Sequence, residues 1–150
     1  KTGNWIGPLL VAAAENGVKK LLLFGYHGKL IKLSGGIFHT HHHLADGRLE
    51  ILTSLAVREG ISFNLIELIS QSDSVENALL ALESNNPEDV SLIWRRMAKE
   101  IEIKSCSYVN RYLSSSMEVG SVLFDRKRQI RWAGLKGLEQ INSLGLILKS

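Results

Sequence analysis

Four of the five histidines in this 150-residue sequence crowd together as His39, His41, His42 and His43, with Asp46, Arg48 and Glu50 close behind. Imidazole gains and loses its proton near neutral pH, so such a cluster can move protons or orient a polar ligand. Neutral imidazoles beside a carboxylate can also hold zinc or another transition metal, with His39, His41, His42 and Asp46 as the candidate ligands. Consecutive residues point in different directions, which works against convergence on one ion. A third reading makes the histidines a water-facing cap for the next helix.

The second chemically suggestive stretch is Gly25-Tyr26-His27-Gly28-Lys29, directly after the apolar run Leu21-Leu22-Leu23-Phe24. In open α/β sheets, ligands bind beyond the carboxyl ends of the strands. Glycines let backbone approach a ligand, a helix start offers free amides, and Lys29 adds positive charge. That combination suits a carboxylate or a phosphate. The spacing fits neither a Walker loop nor a full dinucleotide fingerprint. The plain alternative is a glycine turn at a strand end.

Those stretches need elements to hold them. Asn4 is a candidate cap for a helix carrying Ile6, Leu9, Leu10, Ala13 and Ala14 inward and stopping at Gly17. The run Leu21–Phe24 predicts a strand buried on both faces, as in a parallel sheet. Lys29–Leu33 predicts one or two helical turns ended by Gly35-Gly36, followed by an irregular Ile37–Leu44. A helix over Ala45–Arg58 turns Leu49, Leu52, Leu55 and Ala56 inward and ends at Gly60. Ser62–Ser70 predicts another helix, though Phe63, Leu65 and Ile66 also allow a strand, and Asp73 with Glu76 has capping-box spacing ahead of Val75, Ala78, Leu79 and Leu82. Asn86-Pro87-Glu88-Asp89 opens a long helix to about Tyr112. Glu118–Phe124 and Gln129–Trp132 predict two strands pairing across Asp125-Arg126-Lys127-Arg128. Leu135–Lys149 holds a short helix and a last strand. The expectation is a three-layer α/β/α domain with a small mixed, mainly parallel sheet and a carboxyl-terminal hairpin.

Composition sets the outer bounds. Hydrophobic residues make up 45% and charged residues 22%, which excludes disordered and collagen-like chains. No apolar run reaches the roughly 18 residues of a membrane span. The excess of 18 Lys and Arg over 15 Asp and Glu is too small to argue for nucleic acid. The one cysteine, Cys106, excludes an internal disulfide and fits a reducing, cytoplasmic setting. It sits in a predicted helix with no Cys–His pattern around it, so no nucleophile is expected there. Trp94 and Trp132 read as packing residues, Arg95-Arg96 as a solvated face or subunit contact, and Arg126-Lys127-Arg128 as surface charge. Thr2-Gly3-Asn4 reads as the exit of a strand, so the single domain 1–150 is expected to be a piece of a longer protein.

The ordered string Gly3-Asn4-Trp5-Ile6-Gly7, Leu21 through Phe38, Thr40-His41 and Ala45-Asp46-Gly47-Arg48-Leu49-Glu50 closely resembles the CbiD family. Val119-Gly120-Ser121-Val122-Leu123-Phe124-Asp125-Arg126 is similar to that family's carboxyl-terminal strand. The match departs at Tyr26, where the family usually has histidine, at His27, normally apolar, and at His39–His42. These proteins are the cobalt-precorrin-5B C(1)-methyltransferases of anaerobic cobalamin synthesis. The resemblance implies the carboxyl-terminal part of a two-domain protein that transfers a methyl group from S-adenosylmethionine to ring carbon C-1 of a cobalt tetrapyrrole. It further implies catalytic roles for His41 and Asp46, and substrate or cofactor contacts at Asn4, Gly25, Gly28, Lys29, Lys32, Gly35, Gly36, Thr40, Arg48 and Glu50. A resident metal, nucleic acid and membrane are not expected, whereas the missing domain and a second copy are candidate partners. A non-catalytic tetrapyrrole- or cofactor-binding module is the rival, with the histidine-cluster metal protein as a third reading.

Overall fold

A computed structural model describes residues 5–39 and 46–145. Its elements, in chain order, are α1 (Ile6–Glu15), β1 (Lys20–Tyr26), α2 (His27–Ser34), α3 (Arg48–Arg58), α4 (Phe63–Ser70), α5 (Val75–Glu83), α6 (Pro87–Asn110), β2 (Glu118–Phe124), β3 (Ile130–Ala133) and α7 (Leu135–Ser143). Asn86 precedes Pro87 at the start of α6, and Glu88 and Asp89 occupy its first turn, where acids meet the positive end of the helix dipole. Val90, Ile93, Trp94, Met97, Ile101, Ser105, Tyr108 and Val109 recur at helical spacing and are buried. Around this stripe pack α1, α2, α3, α5, β2 and β3, so α6 is the axis of the core.

The sheet has the order β1-β2-β3. β1 runs parallel to β2, with Leu21 opposite Val119 and Tyr26 opposite Phe124. β3 runs antiparallel to β2, with Leu123 opposite Trp132 and a register shift between Leu123 and Phe124. The sheet is therefore mixed, with one pairing of each kind, rather than mainly parallel. Helices lie on both faces. Ser121 Oγ donates to the Ala98 carbonyl of α6, 3.0 Å away. On the opposite face a Cβ at Gly120 would come within 2.7 Å of the Gly137 backbone of α7. Two glycines thus let α7 seat directly on the sheet backbone.

Several local expectations change. β1 is an edge strand with Phe24 57% exposed, and β2 is the strand buried along its middle. An apolar run alone does not distinguish centre from edge, because a half-covered strand also draws on Leu. The cap of α5 is Ser74, whose Oγ accepts from the Asn77 amide at 3.1 Å. Asp73 instead accepts from the Asn77 side chain, and Glu76, one position too early for the box, turns inward. Trp5 occupies the cap position of α1 without a side-chain hydrogen bond, while Asn4 lies outside the described residues. α3 starts at Arg48 behind Gly47, whose φ of +67° favours glycine. The proposed last strand reaches residues 146–150, outside the described set. Among the described residues no helix is long and apolar enough to cross a membrane.

Candidate functional site

Parallel pairing brings the carboxyl ends of β1 and β2 to one edge, where Tyr26 and His27 meet Asp125 and Arg126. The start of α5 closes over them with Glu76. Glu76 Oε2 lies 2.6 Å from His27 Nε2 and accepts from the Tyr26 hydroxyl at 3.2 Å. His27 is 1% exposed, packed edge-on against Trp94 with centroids 4.7 Å apart and beside the Tyr26 ring at 4.6 Å. Burial pushes its pKa below the ordinary 6.5 despite the pull of Glu76. His27 is therefore neutral at pH 7. The carboxylate at Nε2 fixes the proton there, leaving Nδ1 as a buried acceptor with no partner among the described residues. Burial also raises the Tyr26 phenol, against the lowering effect of the nearby Arg126 guanidinium.

A second group joins this edge through Arg48. Its Nε and Nη2 donate to the two Asp46 oxygens at 2.5 and 2.9 Å, and Nη1 reaches the Gly28 carbonyl at 3.4 Å. The fork ties the start of α3 to the glycine turn. The same pairing holds Asp46 below the usual carboxylate range and Arg48 above its own. Lys32, half-buried on α2, adds positive potential at Asp46. Lys29 and Glu50 are exposed on the first turns of α2 and α3.

The glycines have occupied neighbourhoods. A Cβ at Gly28 would stand 2.4 Å from the Tyr26 ring, one at Gly25 3.0 Å from Leu30, and one at Gly35 2.6 Å from Ile51. Gly36 has φ +82° in the turn that ends α2. The close approaches at Gly25, Gly28 and Gly35 serve the chain's own side chains. Asn4, Thr40 and His41 lie outside the described residues. His39 stands 6.5 Å from the Tyr108 ring, edge-on, beside the stacked Phe38–Tyr108 pair. Among the described residues no three His, Cys, Asp or Glu side chains gather to hold a metal.

Sequence reasoning missed His27, Glu76 and Tyr26 as a unit. Glu76 is 49 residues from His27, and neither periodicity nor capping rules connect them. A separate groove of about 1270 Å³ runs between α6 and the β3–α7 corner, with Ile103, Trp132, Leu135 and Leu138 in its wall. Its Glu102 is engaged by the backbone amides of Ser121, Lys136 and Gly137 at 2.8 to 3.0 Å, which caps α7.

Residues 39–134 match the family described as CbiD, C-terminal domain. The chain belongs to the CbiD family. It is 88% identical over 149 residues to the cobalt-precorrin-5B C(1)-methyltransferase of Prochlorococcus marinus strain NATL2A, covering 99% of this chain and 39% of that protein. The protein of the same name in strain MIT 9303 is 57% identical over 146 residues, covering 97% of this chain and 38% of the relative. This CbiD chain thus spans about 39% of the length of the curated relatives it matches. No solved structure matches.

Proposed function

We propose that this chain is the carboxyl-terminal domain of a two-domain enzyme that methylates C-1 of cobalt-precorrin-5B with S-adenosylmethionine, giving cobalt-precorrin-6A in anaerobic cobalamin synthesis. The name shared by the full-length relatives supports the reaction. The observation that carries the reading to this domain is the Arg48 fork, which joins the family-like Ala45–Glu50 segment to the glycine turn at the carboxyl edge of the parallel strands. Within this reading the domain is a three-layer α/β/α unit closed by a β2–β3 hairpin, working in the cytoplasm.

The donor brings an already activated methyl group on a sulfonium. The residues present fit its charged amino-acid end, or the carboxylates on the tetrapyrrole rim, because Lys29, Lys32 and Arg48 cluster on α2 and the start of α3. Leu30, Tyr26 and Ile51 fill the space beside Gly25, Gly28 and Gly35, so these glycines offer a ligand only their backbone groups. The domain's task is alignment and exclusion of water, and charge-assisted bonds from these cations fix the ligand's orientation. His41 moves a proton or holds the ring during transfer. Asp46, kept ionised by Arg48, supplies a charged carboxylate to orient it. Thr40, Glu50, Gly35, Gly36 and Asn4 complete the contact set.

Replacing His41 with Ala in the full-length enzyme depresses methyl transfer. Wild-type turnover and substrate affinity in that variant would overturn the assigned role. The binding-module reading makes a different forecast. It requires this domain to bind the tetrapyrrole or S-adenosylhomocysteine in calorimetry while every group required for turnover resides in the rest of the chain, so that His41→Ala leaves the rate intact.

A further inference from the structure

Lys99, Ile103, Cys106 and Asn110 recur at helical spacing along a face of α6 distinct from the stripe that fills the core, and all four line the groove of about 1270 Å³. Leu135 and Leu138, three positions apart on α7, belong to its wall, and the whole of β3 runs along it. β3 closes the order β1-β2-β3 and pairs with β2 alone. Among the described residues no other backbone hydrogen bond reaches positions 130–133, so its outer side is an open strand edge. Such edges are commonly guarded by proline or by an outward charge. β3 has no proline, and its one charge, Arg131, is engaged by Glu83 and Asp125. Leu135 is 74% and Ile103 47% exposed, and Ile130 and Leu138 are exposed as well. One exposed leucine is ordinary, but four large apolar side chains around one concavity beside an open strand edge mark an association surface.

We propose that this groove seats an extended apolar segment from the part of the full-length polypeptide outside residues 1–150, added to β3 as a fourth strand. This chain covers 39% of one relative and 38% of another, so about three-fifths of the length of each lies outside the matched domain. A segment of the same polypeptide is already at high local concentration, so a four-residue edge with a few leucines is enough to hold it. A second free copy would first have to give up its translational and rotational freedom, a cost that so short an edge offsets poorly. Strand addition supplies main-chain hydrogen bonds, while Ile103, Trp132, Leu135 and Leu138 receive alternate side chains of the added strand. The rim is cationic. Among the described residues Lys99 forms no ion pair, and Arg95 reaches only Glu59, at 3.8 Å. The seated segment is therefore apolar along its centre with acidic residues at its margins. This inference goes beyond the methyl-transfer reading and does not depend on it.

The test uses the full-length protein and three readouts: hydrogen exchange of the Ile130–Ala133 amides, alkylation of Cys106 by N-ethylmaleimide, and chemical crosslinks from Lys99 and Lys136, all read peptide by peptide. The double variant Leu135→Glu with Leu138→Glu puts charge into the wall at two side chains that the domain's own core does not use. Phe63→Glu, at an exposed position on α4 outside the groove, is the control. In the wild type the β3 amides and Cys106 are protected, and the double variant speeds both reactions by about tenfold or more while the control leaves them unchanged. Crosslinks run to positions outside residues 1–150 of the same copy, as an equal mixture of nitrogen-15-labelled and unlabelled protein distinguishes. Wild-type β3 amides and Cys106 that react as fast as in the double variant overturn the inference. So do crosslinks found only between differently labelled copies, which assign the groove to a second copy. Protection that arises only when cobalt-precorrin-5B is added overturns it as well, by making the groove a ligand site. If the double variant does not fold, the wild-type exchange and crosslinks decide by themselves. None of these readouts needs turnover, so their failure leaves the reaction assignment standing, and an enzyme that transfers no methyl group leaves this inference standing.

Discussion

His27 offers a direct test of the edge architecture through pH. Its folded-state pKa lies below the ordinary 6.5 because burial against Trp94 and Tyr26 disfavours the cation, more than Glu76 favours it. The unfolded chain therefore binds this proton more tightly than the folded chain. Stability from His27 is complete above pH 6.5 and declines as the pH falls beneath it, until the folded-state pKa is reached. The slope is at most about 1.4 kcal/mol per pH unit, so the loss between pH 6.5 and pH 5 is bounded at about 2 kcal/mol. In a domain of this size that corresponds to roughly 4 to 8 °C in Tm. Urea unfolding between pH 8 and 5, for the wild type and His27→Gln, isolates the effect as a difference curve, since other groups titrate in both. The wild type should lose stability relative to the variant on acidification. A flat difference, or a wild type that gains, would refute the reasoning, because it would mean that the Glu76 pairing outweighs burial. If His27→Gln does not fold, the NMR titration of the His27 ring protons gives the same answer, with a midpoint below 6.5 expected and one above it contradicting the account.

Two further predictions concern the seat of α7. Glu102→Gln keeps the shape but turns an amide N–H toward one of the three backbone amides that the carboxylate now accepts, and removes a charge from the helix N-terminus. A loss of about 2 to 4 kcal/mol is expected in denaturant unfolding, and a loss under about 0.5 kcal/mol would mean that the carboxylate does not hold this corner. Gly120→Ala places a methyl group 2.7 Å from Gly137 backbone, so α7 must lift from the sheet. That costs about 1 to 3 kcal/mol, and an unchanged Tm would show that the two backbones are not in contact.

Local signals were legible where local physics decides the outcome. Pro87 behind Asn86 marks the start of α6, Gly17 with φ +78° ends α1, and β2 has the bounds Glu118–Phe124 that the sequence predicts. The glycine string lies where β1 hands over to α2, as its sequence position suggests, but the use of particular residues depended on tertiary packing. Gly28 reads equally well as a seat for a ligand or for a side chain, and its actual neighbour is Tyr26, two residues away. Glu76 carries a capping signal in sequence, yet a one-residue change in the helix start converts it into the partner of His27. The edge position of β1 follows from which strands pair, a property that the Leu21–Phe24 run does not encode.

The central claim is that this edge serves methyl transfer to the tetrapyrrole. Its most direct test incubates the full-length enzyme with cobalt-precorrin-5B and S-adenosylmethionine carrying a carbon-13 methyl group, and reads the product by NMR, for the wild type and for Arg48→Gln. The account predicts one labelled methyl at C-1 with the wild type and a raised KM with Arg48→Gln. An unlabelled C-1 with the wild type, or a variant with wild-type KM and rate, would contradict it.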